Sequence, residues 1–506
     1  MNAQRTKQPK SKTKVVFLNL VTDIFPKIII CVLGIIKAKL FLNILGQEQL
    51  GMYQLYGQIL SYLVLAEGGV GTAILYRLFK LTKENDAKKL NDFMASSKVI
   101  FRSVAIIMFV IGTIITFGMP LFIKEYQTST FFLCSTFFIY MISEVMTYVT
   151  VPEKSRFDAD QKKYIPNIIA QLFQLARMAL EVALIILTKN LYCIVFLILL
   201  INILTCIVNK VVYRKYYGVI DYKEKKDFSV IKDCKHLTVN TVANLISSNI
   251  DILLISKFIG LPSVVIYSSY NYIIDNIRKI IESFMGATMS SIANIILKSK
   301  TKAYEILSEY TAFCYYVATI LFVPIFMAIN SFIKIWYEGD IFTSRWLALL
   351  FSLLLFFNIV KLPTRTFTFA AGKFQLIKKY VIYEIILNLT FSFILVNYLG
   401  ISGVLIATLL SYIVCDFVPK TVVVLKEVVE GNKVTFFKNQ ITFFLVAGVS
   451  CALTLLIFQY EPTNLFAWCL NSLAIFVFNA ILITPYYVLS KKIDFRQRLK
   501  AIRGKQ

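Results

Sequence analysis

The chain has 506 residues, 58% of them hydrophobic and 16% charged, with a formal net charge of +25. Ordinary soluble domains run at roughly 45–50% apolar and about 25% charged, so this composition excludes a soluble globular protein. The basic surplus is not a nucleic-acid surface either, because its placement follows a membrane topology and faces anionic lipid.

Apolar runs of about twenty residues recur from end to end, each long enough to cross a hydrocarbon core of about 30 Å. They place fourteen spans at 16–37, 53–76, 99–120, 129–151, 165–188, 191–213, 237–258, 263–293, 304–330, 346–370, 379–398, 401–419, 437–458 and 465–489. The predicted fold class is an all-α polytopic membrane protein. Lys and Arg crowd the segments between alternate spans. With an internal N-terminus, the external ends and loops hold only Lys37, Lys39, Lys124, Lys189, Lys257, Lys334 and Arg345. That asymmetry puts both termini in the cytoplasm.

Residues 1–14 are basic and polar, and the first span follows without a small-residue cleavage site, which reads as an uncleaved anchor. Asp23, Pro26 and Lys27 lie near the middle of that span. Pro26 removes one backbone hydrogen bond and should bend the helix, and Asp23 and Lys27, four apart, share a face. Next comes LGQEQLGMYQLYG, in which Gly46 precedes Tyr53 and Tyr56; Gly260, Tyr267 and Tyr270 repeat the spacing 214 residues later. Both stretches read as a helix, a tight turn at the membrane surface and a second helix. A duplication of that length points to two similar bundles.

The second span carries Glu67 before Gly68, Gly69 and Gly71, small residues that let membrane helices approach closely. Arg77 and Arg102 read as snorkelling anchors. Two polar internal loops, KLTKENDAKKLND and VPEKSRFDADQKKYIPN, flank the third and fourth spans, and Arg177 and Glu181 stand four apart in the fifth. The polar stretch 214–235 separates the bundles, which divides the chain into 1–218 (spans one to six), a cytoplasmic linker at 219–236, 237–420 (spans seven to twelve) and 421–506 (spans thirteen and fourteen with a basic tail). His236, the single histidine, reads as structural. In the eighth span, Asp275 can pair with Lys279 and Arg278 with Glu282. Trp336 and Tyr337 stand at interface depth, and Lys361, Pro363 and Arg365 lie toward the inner end of the tenth span. The last two spans are nearly free of charge.

No enzyme signature is present: there is no phosphate loop with its Lys, no G-x-S-x-G and no H-E-x-x-H. The nine cysteines, nearly all in spans and without a C-x-x-C pair, indicate neither a disulfide framework nor a metal site. No cofactor is implied. The chemistry must rest on intramembrane charge, which costs about 2.5–3.5 kcal/mol per residue at bilayer centre and so marks internal cavities and pathways. Near the midplane stand Lys27, Arg177, Arg278 and Lys279, with Asp23, Glu67, Glu181, Asp251, Asp275 and Glu282 close by. Each base can be neutralised by an acid four residues away, yet four bases in three spans favour a shared hydrophilic cavity. Lys361 and Arg365 are like charges one turn apart that need an anion or water, or else snorkel to the inner surface.

LGQEQLGMY, LAEGGVGTAILYRLFK with KENDAKK, DADQKKYI at 158–165, IYSSYNYI at 266–273, SSIANII at 290–296 and FIKIWY at 332–337 together resemble the bacterial polysaccharide flippases of the multidrug/oligosaccharidyl-lipid/polysaccharide exporter superfamily. The resemblance implies a MATE-like fold in the bacterial cytoplasmic membrane, with two six-helix bundles around a central cavity plus two C-terminal helices. It implies a substrate of undecaprenyl-diphosphate-linked oligosaccharide, moved to the outer leaflet by alternating access for surface polysaccharide biosynthesis. A polysaccharide polymerase and glycosyltransferases are then expected as partners beside membrane lipids.

On that reading Lys27, Arg177, Arg278, Lys279, Lys361 and Arg365 are the substrate-binding candidates, and Asp23, Glu67 and Asp251 the ion-coupling candidates. A sugar–diphosphate head cannot cross hydrocarbon unaided, because each unpaired polar group costs several kcal/mol. Each negative charge moved outward gains about 2.3 kcal/mol per 100 mV of inside-negative potential. Two alternatives stay open: a cation-coupled multidrug exporter of the same superfamily, in which an acid is the coupling site, and a membrane scaffold of a polysaccharide-assembly complex that transports nothing.

Overall fold

The computed structural model describes residues 12–63, 67, 70–84, 86–160, 162–219, 250–286, 289–338 and 341–490. The linker at 220–235, His236, Gly68, Gly69 and the side chains of Asp23 and Lys27 lie outside the described residues. Among the described residues there is no strand, and eleven helices are long and apolar enough to cross a membrane. The chain is thus an all-α polytopic membrane protein, built as two compact units: residues 1–50, 71–110 and 135–230, and residues 51–70, 111–134 and 231–506.

The first unit contains the start of α1 (Lys12–Leu63), α2 (Val70–Glu84), most of α3 (Ala87–Gly118), most of α4 (Thr130–Thr147), α5 (Val151–Ala159), α6 (Tyr164–Thr188) and α7 (Leu191–Tyr217). The Asn190 side chain caps α7 by accepting the Tyr192 N–H at 2.9 Å, and Arg214 and Lys215 in the last turn complement its dipole. The second polar loop, 151–167, folds into α5, with Pro152 and Glu153 in its first turn as helix starts prefer. Phe157 meets the rings of Tyr213, Tyr216 and Tyr217, Arg156 lies 4.9 Å from the Tyr217 ring centroid and donates to Thr82, and Lys98 reaches the buried Glu153 at 2.8 Å. A loop rich in charge is thereby docked on α2, α3 and α7.

The second unit continues α1 from Gly51 and adds α8 (described over residues 250–258), α9 (Leu261–Gly286), α10 (Met289–Lys298), α11 (Lys300–Trp336), α12 (Arg345–Val360), α13 (Leu362–Ala370), α14 (Phe374–Leu399), α15 (Ile401–Ser411), α16 (Val418–Glu427), α17 (Lys433–Ile457) and α18 (Leu465–Leu489). The repeat read in the sequence has a backbone cause. Gly46 breaks α1 at φ 86°, and Gly260 stands at φ 126° between α8 and α9, a region that L side chains avoid. The paired tyrosines behave alike as well: Tyr56 and Tyr270 are both fully buried, donating to the Leu133 carbonyl at 3.0 Å and to Asn330 Oδ1 at 2.6 Å.

The core of this unit is α11 with the α12–α13 span, whose most apolar windows are 61% and 72% buried against 28% or less for α17 and α18. Even so, α18 is tied to α11, through Asn479 to the Thr319 carbonyl, Trp468 to the Ala328 carbonyl and Tyr316 to Thr484. Two spans are irregular. The helix through Pro363 breaks at Lys361, and a π-helical stretch, Tyr412–Phe417, separates α15 from α16.

Candidate functional site

α9 is 26 residues long, about 39 Å at 1.5 Å per residue, which suffices to span a bilayer. Its C-terminal half carries Asp275, Arg278, Lys279 and Glu282, and for that reason it is not among the eleven apolar helices. Arg278 pairs with Asp275 at 2.8 Å, and Lys279 reaches the other oxygen of the same carboxylate only at 3.9 Å. Glu282 is taken not by Arg278 but by Arg365 of α13, at 3.5 Å. The pairing expected from i,i+4 spacing is therefore rearranged: Asp275 serves two bases, and Glu282 turns to a neighbouring helix.

The decisive feature is exposure. The side chains of Lys279 and Arg365 are 62% and 57% accessible, while Asp275, Arg278 and Glu282 are about half as open. Charged side chains carried on a spanning helix rarely face hydrocarbon, so the accessible ones meet water or a polar ligand. Three bases against two acids leave this cluster with a surplus positive charge, carried by the two most accessible members. That is an arrangement suited to an anionic group such as a diphosphate.

The first unit offers a different constellation. Glu181 of α6 is 0% exposed and receives Lys37 of α1 at 2.9 Å and Arg177 at 3.6 Å. Glu144 of α4 stands beside Arg177. Lys37, which the sequence places at an external end, instead turns onto a buried carboxylate 144 residues away in sequence. Arg177 is thus drawn into a packed ion cluster, far less open than Arg365.

Lys361 also departs from expectation. Sequence spacing makes it, with Arg365, one of two like charges without a carboxylate, yet each has one from a distant helix. Lys361 Nζ lies 3.7 Å from Asp416 and 3.8 Å from the Tyr412 ring centroid. Asp416 accepts Lys420 at 2.9 Å, and Lys420 reaches Glu384 of α14 at 2.9 Å. Glu384, Asp416 and Lys420 are absent from the sequence-based candidates, although Glu384 and Asp416, as charges inside spans eleven and twelve, are themselves the signal. Of the coupling candidates, Asp251 of α8 accepts the Tyr267 hydroxyl at 2.7 Å, and Glu67 is half-buried.

No protein-family model and no curated protein sequence matches the chain. Solved structures do. It is similar to the lipid II flippase MurJ in an inward closed conformation, with TM-score 0.69 and 14% identity over 93% of this chain and 100% of that one. The fold is that of the flippases and MATE transporters of the MOP superfamily. An inward-facing multidrug resistance MATE family transporter aligns with TM-score 0.63 and 13% identity over 78% of this chain and 94% of that one. A MOP superfamily transporter from Pyrococcus furiosus, described as having a binding pocket of reversed polarity, gives 0.54 and 14% over 84% and 100%. At these identities the likeness shows the fold of a multi-pass membrane transporter.

Proposed function

We propose that the protein is a flippase that carries undecaprenyl-diphosphate-linked oligosaccharide from the cytoplasmic to the outer leaflet of the bacterial plasma membrane by alternating access. The observation that carries this reading is the cluster Asp275, Arg278, Lys279, Glu282 and Arg365, cationic in sum and accessible although carried on two spanning helices. A diphosphate needs charge-assisted donors when it leaves water, and Arg278, Lys279 and Arg365 supply them. Arg177 and Lys361 serve more as members of ion clusters than as ligands. The likeness to MurJ, a flippase for a lipid, supports the same class of cargo. Both termini are cytoplasmic, the membrane potential assists outward movement of negative charge, and the enzymes that build and polymerise the glycan are the natural partners.

The test is reconstitution into vesicles with a panel of lipid-linked glycans, following their appearance at the opposite leaflet. Movement of undecaprenyl-diphosphate-linked sugars, abolished in R278Q/R365Q while the protein stays monodisperse, is the expected result. A cation-coupled multidrug exporter is the second reading, favoured by Asp251, a carboxylate held by Tyr267 within α8 and α9. It predicts drug efflux lost in D251N and no flipping of any glycan.

A further inference from the structure

We infer that Glu384, Asp416 and Lys420 are positioning residues for Arg365, acting through Lys361 at the break between α12 and α13; the inference rests on the reading of Arg365 as a ligand of the diphosphate. Lys361 is at once the residue that ends α12 and the one that precedes α13. Pro363 has no N–H, so the ladder between the two helices is interrupted there. Beyond the break the ladder resumes, and the Arg365 N–H donates to the Lys361 carbonyl at 3.2 Å. Arg365 therefore stands one turn past Lys361, and the direction of α13 depends on what holds the break.

What holds it is a chain of charges from three spans. The Lys361 ammonium lies against Asp416 and the face of Tyr412, both on the π-helical stretch 412–417. Such stretches are rare and concentrate at functional sites. Asp416 is fixed by Lys420, and Lys420 by Glu384 on α14. Below the break, Thr364 and Thr421 meet at 3.2 Å, joining α13 to α16. All four charged side chains are largely buried. Two cations and two carboxylates balance, so the network has no charge to offer a substrate. Arg365, one turn away, is accessible, and among the described residues its ion pair is a 3.5 Å contact with Glu282. The network is anchored and Arg365 is free to bind, which is the division of labour expected of a support and the group it aims.

The test uses the full chain with its nine cysteines replaced by alanine and a cysteine introduced in R365C. Modification by a charged, water-soluble methanethiosulfonate reports how well position 365 faces water, with or without ligand. E384Q/K420M removes an acid and a base together and leaves the Lys361–Asp416 pair, so no buried charge is stranded. Labelling of R365C/E384Q/K420M should be slower than that of R365C by at least about threefold; an unchanged rate overturns the inference. If that variant does not fold, Asp416→Glu, which keeps every charge but lengthens the arm, takes its place with the same expected direction. On otherwise native protein, binding of undecaprenyl diphosphate should weaken in R365Q and in E384Q/K420M, and the combination should be no worse than the more severe of the two. Additive losses would show that the network acts elsewhere and overturn it too. Slowed labelling in a protein that binds no undecaprenyl diphosphate would refute the flippase reading and leave the positioning intact.

Discussion

Glu181→Gln is the sharpest probe of the first unit. The carboxylate is fully buried and holds two cations, Lys37 at 2.9 Å and Arg177 at 3.6 Å. Removing one member of a buried ion pair costs about 3–5 kcal/mol, because the charge left behind is desolvated without a partner. Here two cations lose Glu181, but Arg177 keeps Glu144 beside it, and Lys37 and Arg177 keep 16% and 24% of their side-chain surface toward water. That relief places the expected loss near the low end, about 3 kcal/mol. Removing Lys37 as well, in E181Q/K37M, leaves Arg177 with Glu144 beside it as the one cation that has lost Glu181, and should recover about half of the loss. An SDS titration in mixed micelles followed by circular dichroism measures both variants. If E181Q unfolds at the same SDS fraction as the parent, the pairing around Glu181 contributes nothing and the reasoning fails.

Neutralising Arg278 and Lys279 together should reduce flipping by at least about a hundredfold, since two charge-assisted contacts to phosphate at roughly 1.5–3 kcal/mol each are lost; vesicle assays at sub-saturating lipid measure it. Gly51→Ala should destabilise the second unit by about 1–3 kcal/mol, the cost of overpacking, because an added Cβ would sit 2.7 Å from the Leu261 carbonyl oxygen, a backbone atom that cannot swing away. Tyr270→Phe should cost about 1 kcal/mol, the net worth of its hydrogen bond to Asn330, read as a shift in the same SDS titration. Asp86 caps α3 by accepting the Lys89 and Lys88 N–H groups, and those bonds hold its carboxyl below the usual carboxylate range. A lowered folded-state pKa means that its stabilisation is full above the unfolded value and is lost as pH falls. Amide exchange at Lys88 and Lys89, corrected for intrinsic rates, should therefore rise below about pH 4 and become independent of pH in D86A.

Much of the architecture is legible in the chain because hydrophobic length and turn glycines act locally. The fold class follows from apolar runs, and the Gly46 and Gly260 turns are visible because only glycine tolerates those backbone angles. The polar segment 151–167 reads as a loop between spans, yet α5 forms there because the rings of α7 supply a surface for Phe157 that no local pattern announces. Ion pairing is legible only in part. Spacing finds Arg177 with Glu181 and Asp275 with Lys279. It misses Lys37, which reaches Glu181 from another helix, and it leaves Lys361 and Arg365 without the acids that Asp416 and Glu282 supply. Tertiary proximity decides those partners, and periodicity along one helix carries no information about it.

The central claim is that cations carried on spanning helices stand in water where a lipid-linked diphosphate can reach them. It is tested most directly by K279C in a cysteine-free background, reconstituted in vesicles and treated with a membrane-impermeant cationic thiol reagent. The account predicts rapid modification from one side of the bilayer and protection by undecaprenyl diphosphate. A cysteine at 279 that never reacts from either side, or that reacts equally fast whether or not the lipid is present, would contradict it.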